Sequence, residues 1–220
     1  MLSLQQILMF VLAALPLLVV VLLAFIFGRI KEFSVSMVFL GIFDIVVALG
    51  GGIAVLMVIV STFPQTNSTI TKSFLIGALA AMLAVALIVG EFFRYLILRS
   101  SDKNEKSSLS GICFGFGIAL GEYFAFIAMS VLNSEYKISL DMTIILMVDI
   151  VMQLCISYVA YKLIQQNNFA FIAVGGLYYL SLFILMAFSG SSILMIASKV
   201  LAFLIAIGLF VAYLPGKKQA

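Results

Sequence analysis

The sequence predicts an all-α membrane protein, one polytopic domain of seven spans over residues 1–220. Three observations predict it. Hydrophobic residues make up 65% of the chain and charged residues only 10%. Mean hydropathy is +1.31, far above that of a soluble domain. The apolar stretches recur at lengths that cross a bilayer, with short polar connections between them.

The first apolar stretch, about Ile7 to Phe27, is long enough to span, and no basic residue precedes it. It therefore reads as a membrane helix bent at Pro16 rather than a cleaved signal. The seven segments run about 5–28, 35–62, 73–98, 109–132, 140–164, 168–188 and 191–214. In the second, Gly50-Gly51-Gly52 is a candidate bend or unwound point. The sixth and seventh are separated by Ser189-Gly190-Ser191-Ser192, a tight turn that argues against fusing them.

Basic residues set the expected orientation. Nine of the twelve (Arg29, Lys31, Arg94, Arg99, Lys103, Lys106, Lys162, Lys217 and Lys218) fall on one side. Lys72 and Lys137 fall on the other, and Lys199 lies within span seven. The positive-inside rule then puts the N-terminus outside (lumenal) and the C-terminus in the cytosol, which requires an odd number of spans. The loop between spans two and three holds Asn67-Ser68-Thr69, a glycosylation sequon on the outer side.

Composition also excludes chemistry. There is no histidine, so His-ligated metals, Ser-His triads and Cys-His pairs are impossible. The two cysteines, Cys113 and Cys155, sit in apolar spans and read as buried thiols rather than a disulfide framework. The net charge of +3 is small and its basic residues are scattered, so nothing supports nucleic-acid binding. No cofactor motif is present; the surrounding lipid and other membrane proteins are the expected partners.

Candidate functional residues are the polar groups inside the spans: Asp44, Glu91, Arg94, Glu122, Asp149, Gln153, Ser157 and Lys199. A charge at bilayer depth costs about 2.5–3.5 kcal/mol on insertion scales, so such residues turn toward protein or a wet cavity. Glu91 and Arg94 are three apart and share a helix face, where they can pair. Arg94 can also snorkel to headgroups. In span four Gly111, Gly115 and Ala119 form a small-residue ridge, with Glu122 on nearly the same stripe. Such a ridge either packs within the bundle or docks a partner helix. Asp149, Gln153 and Ser157, each four apart, make a polar stripe on span five. Gly41, Asp44, Ala48 and Gly51 share a face of span two. Lys199 needs a carboxylate or a wet cavity, and the sequence does not say which carboxylate.

The run Gly90-Glu91-Phe92-Phe93-Arg94-Tyr95, followed by a basic loop and Ser110-Gly111-Ile112-Cys113-Phe114-Gly115, resembles the anterior-pharynx-defective-one family, the seven-span scaffold subunits of gamma-secretase. The resemblance covers spans three to five best, about 90 residues. It implies a lumenal N-terminus and a cytosolic C-terminus. It also implies a non-catalytic role in assembling an intramembrane aspartyl protease complex with a presenilin-like protease and a nicastrin-like glycoprotein. The same superfamily holds bacterial intramembrane peptidases of the YhfC and CAAX-protease types. Against their pattern Glu91, Arg94 and Glu122 fit, whereas Gly90 replaces a glutamate and Ile118 and Gln153 replace histidines. A peptidase so altered is expected to be inactive, so no catalytic residue is assigned. The scaffold family also carries histidines in spans five and six, where this chain has Gln153 and a residue near Leu177. The alternatives are a degenerate YhfC-type pseudo-peptidase and a small transporter using Asp44, Asp149 and Lys199 as a charge relay.

Overall fold

A computed structural model describes residues 34–62, 72–100, 109–132, 140–187 and 192–214, together with Pro16, Leu18, Leu22 and Ile26. The described chain is all-α, with six helices: α1 Val35–Thr62, α2 Lys72–Ser100, α3 Leu109–Leu132, α4 Leu140–Gln165, α5 Ala170–Ala187 and α6 Ser192–Tyr213. They match the second to seventh predicted segments to within two residues at each end. Five of them are long and apolar enough to cross a membrane; α3 supplies a shorter apolar stretch, Leu109–Ala125. The chain is thus an integral, multi-pass membrane protein. Of the first predicted span only the four isolated positions are described, all helical. Leu18, Leu22 and Ile26, four apart, lie on one exposed face. The predicted bend at Pro16, the loop with Asn67 and the turn at 189–191 lie outside the described residues.

The helices close into a ring. Helix α1 packs on α2 and α3, α3 on α4, α4 on α5, and α5 back on α2. Helix α6 lies outside the ring, against α4 and α5. Helix α4 is the most enclosed: 72% of its apolar window is buried, against 17–33% in the other four long spans. Outward faces carry large apolar side chains such as Phe39, Phe43, Ile88, Phe92, Ile193 and Leu204. That inversion suits lipid, where exposed apolar surface costs nothing and buried polar groups must find partners inside the bundle.

Small residues draw the helices together. Two glycine faces of α3 do this in opposite directions. A β-carbon on Gly111 would stand 2.8 Å from Ser157 O, and one on Gly115 2.6 Å from Gln153 O, so this face lies directly on the α4 backbone. Ala119 is fully buried on the same stripe. The other face was not singled out in the sequence. A β-carbon on Gly117 would fall 2.0 Å from Val38 O, and one on Gly41 2.1 Å from Phe114 O, so α1 and α3 cross glycine to glycine. Backbones this close gain packing that replaces the absent hydrophobic drive.

Two local expectations are corrected. Gly50-Gly51-Gly52 does not unwind; α1 is helical throughout. Its role is close approach, because a β-carbon on Gly52 would meet Met82 O at 2.8 Å. The buried stripe of α1 accordingly runs through Gly41, Asp44, Ala48 and Gly52 rather than Gly51. Arg94 does not snorkel: it is 3% exposed, held inside the ring. The basic side keeps eight residues against two without it, so the charge asymmetry survives.

The α4–α5 connection is fixed by hydrogen bonds. Asn167 takes φ 54° as the left-handed residue after α4. Its N–H donates to Ile164 O (3.0 Å), and Asn168 N–H donates to Leu163 O (2.9 Å). This is a Schellman cap, with asparagine in the place glycine usually fills. Asn168 Oδ1 then accepts from Ala170 N–H at 2.9 Å, opening α5. Arg99, from the end of α2, donates to Asn167 Oδ1 and to Ile164 O and ties a third helix to the turn.

Candidate functional site

Every helix of the ring sends polar groups into its interior, and α6 adds one from outside. They form two neighbouring clusters. The first lies about nine residues from the starting end of α1 and the finishing end of α2, roughly 13 Å along each axis. Here Arg94 Nη1 donates to Glu91 Oε1 at 2.7 Å, with both side chains at most 4% exposed. The Arg94 guanidinium also faces the Phe114 ring, 6.0 Å from its centroid. Asp44 joins from α1, within electrostatic range of both. Glu91 fits because residue 175 is glycine: a β-carbon there would stand 1.8 Å from Glu91 Oε1. The room beside Gly90 is filled by the Tyr179 hydroxyl, 2.8 Å from where a β-carbon would be. Within this cluster Asp44 Oδ1, Glu91 Oε2 and Arg94 Nε are buried without a hydrogen-bond partner among the described residues.

The second cluster is deeper, about 13 residues or roughly 20 Å along α3 from the same end. Gln153 Nε2 donates to Glu122 Oε1 at 2.7 Å. The Tyr178 hydroxyl also bonds Glu122. Lys199, 1% exposed, donates to both oxygens of Asp149, at 2.8 and 3.0 Å. Its ammonium lies 5.1 Å from the centroid of the Tyr178 ring. The two clusters sense each other, since Glu122 lies within electrostatic range of both Arg94 and Tyr179.

The sequence-derived residues thus divide. Glu91, Arg94 and Asp44 converge; so, separately, do Glu122, Gln153, Asp149 and Lys199. The carboxylate that Lys199 requires is Asp149. Asp44, placed with Asp149 and Lys199 in the relay reading, belongs instead to the Glu91–Arg94 cluster. Ser157 lies flat under Gly115, and its Oγ has no hydrogen-bond partner among the described residues. Gly111, Gly115 and Ala119 face α4 of the same chain. That ridge is therefore filled from within, and a docking partner has no access to it. Ile118 is a fully buried packing residue.

Two site residues escaped the sequence reading: Tyr178 and Tyr179. Neither was singled out in the sequence, yet their adjacent hydroxyls on one span reach into different clusters. The signal available was chemical, since a tyrosine buried in a membrane helix must place its hydroxyl on a partner.

A cavity of about 250 Å³ opens beside the second cluster. Glu122, Asp149 and Tyr178 form its polar floor. Leu49, Ile145, Leu146, Leu182 and Met186 are among its walls. Among the described residues, no group of three or more acidic or cysteine side chains is placed to hold a metal ion.

Ring and clusters together define a class: a multi-pass α-helical membrane protein whose ionised residues are turned inward and largely spent on one another. No family model, no curated protein and no solved structure matches the chain.

Proposed function

We propose that this protein is a non-catalytic membrane scaffold of the kind the gamma-secretase scaffold subunit represents, with seven spans, its N-terminus outside and its C-terminus in the cytosol. The observation that carries the reading is how the chain uses the positions that would react in the related peptidases. Glu91 is bonded to Arg94 and lies over Gly175. Glu122 is bonded to Gln153, which stands at a histidine position. Ile118, at the other, does nothing but pack. The Gln153–Glu122 bond ties α4 to α3, while the Glu91–Arg94 pair lies within α2 and its carboxylate is seated against Gly175 of α5.

The role follows from that rigidity. A ring braced by internal pairs keeps a constant outer surface for partner helices. By resemblance those partners are a presenilin-like aspartyl protease and a nicastrin-like glycoprotein. The test is purification from native membranes in digitonin, with mass spectrometry of the co-purifying proteins. A defined set of integral membrane partners, whose abundance falls when this chain is deleted, is the expected result. A chain that purifies alone refutes the scaffold. So does one that cleaves a membrane peptide unaided with Glu91 or Glu122 required; that outcome would restore the peptidase reading. A second reading, a small transporter, draws support from the Asp149–Lys199 pair beside an open cavity. It requires flux in proteoliposomes that is lost in Asp149→Asn.

A further inference from the structure

The cavity above the second cluster is built unevenly. Its walls are aliphatic and its floor is acidic. Lys199 bonds both oxygens of Asp149, so that pair is closed. Glu122 takes its hydrogen bonds from Gln153 and Tyr178, which are neutral donors. The floor therefore holds two carboxyl groups for one ammonium, and Glu122, at the edge of an apolar chamber, has no cation hydrogen-bonded to it among the described residues. A small inorganic cation is a poor complement. Sodium or calcium needs several oxygen ligands to replace its water, and the aliphatic walls supply none.

The complement is a monocation with an apolar body. We propose that this cavity binds a lipophilic amine whose ammonium sits on Glu122 and whose hydrocarbon part fills the chamber toward Ile145, Leu182 and Met186. An ammonium brings three N–H donors and the cation that Glu122 does not have bonded to it. Size agrees: a cavity of about 150 Å³ holds benzene, so one of about 250 Å³ holds a single ring with a two-carbon ammonium arm. The walls lie on the early turns of α4 and the late turns of α5. That places the chamber toward the end of the bundle opposite the Asn167 turn, which is the outer side under the charge asymmetry. The inference is independent of the scaffold reading, since it concerns what fills the ring and not what surrounds it.

The test uses the full chain in phosphatidylcholine nanodiscs, titrated with 2-phenylethylammonium and, separately, with neutral 2-phenylethanol. The amine should bind at least about tenfold more tightly, the worth of a single charge-assisted hydrogen bond. Glu122→Gln should erase that preference while Cys113 and Cys155 remain protected from thiol reagents. Should Glu122→Gln fail to fold, Met186→Trp blocks the chamber without touching its floor and should abolish binding. The chain has no native tryptophan, so this variant also carries its own fluorescence probe. Ammonium can come from a free amine or from an ethanolamine headgroup. Replacing the lipid with phosphatidylethanolamine separates them: competition assigns the headgroup, and undiminished binding assigns the free amine. Equal affinity for amine and alcohol, no binding of either, or binding unchanged in both variants overturns the proposal.

Discussion

Lys199→Met is the most informative single change. It keeps the length and most of the volume of the side chain and removes only the charge. In the intact protein Lys199 is 1% exposed and donates to both oxygens of Asp149. The variant leaves Asp149 buried beside Glu122 and Tyr178 without its counter-ion. Breaking a buried pair by removing one partner costs about 3–5 kcal/mol. For a chain of 220 residues that is a fall in melting temperature of about 6–20 °C. The protein supplies the assay, because Cys113 and Cys155 are 1% and 7% exposed and form no disulfide. A maleimide that fluoresces on reaction with thiols reports their exposure as the bundle opens on heating. Asp149→Leu should be damaging in the same way. The double variant Asp149→Leu/Lys199→Met should return to within about 1 kcal/mol of the parent, because apolar replacement of both partners removes the desolvation cost with the attraction. A single-variant shift below about 2 °C, or a double variant as damaged as the two singles together, would refute the claim that this pair locks α4 to α6.

Gly117→Ala should destabilise the bundle by about 1–3 kcal/mol in the same melt, since its new carbon meets the Val38 carbonyl, which is backbone and cannot turn aside. Gly50→Ala meets nothing within 4 Å and should be neutral or stabilising by up to about 1 kcal/mol. Gln153→Leu removes one interhelical hydrogen bond and should cost about 0.6–1.7 kcal/mol, well below the ion-pair variant; a larger loss would mean that Glu122 depends on Gln153 alone. Single cysteines at Thr66 and Lys103, labelled in intact cells with a membrane-impermeant maleimide, should react from outside only at 66; the reverse pattern would invert the proposed orientation.

The positions of the helices were readable in the sequence because bilayer thickness, not tertiary context, sets where an apolar run must end. The Glu91–Arg94 contact was readable for a similar reason, since three residues of helix place both on one face. The Asp149–Lys199 pair was not. Fifty residues separate its members, and neither helix carries any local mark of the other. The α1–α3 crossing was hidden differently. Gly117 and Gly121 repeat the spacing of Gly111 and Gly115, but a helix buried on two sides has no strong apolar face to say which stripe matters. Tyr179 was missed because its place depends on a missing side chain, that of Gly90, one ring position away in space and 89 residues away in the chain.

Placing Lys199 on the last of the described helices has a bearing on how the protein is made. Helices emerge from the ribosome in order, so α6 is offered to the bilayer after α4 has already carried Asp149 there. Alone, a lysine at that depth opposes insertion by about 2.5–3.5 kcal/mol. Beside α4 it meets its counter-ion on arrival, and two separate liabilities cancel in one docking event. Until then the unfinished chain exposes an acid in lipid, which marks it as incomplete to any membrane quality-control system that recognises stray polarity.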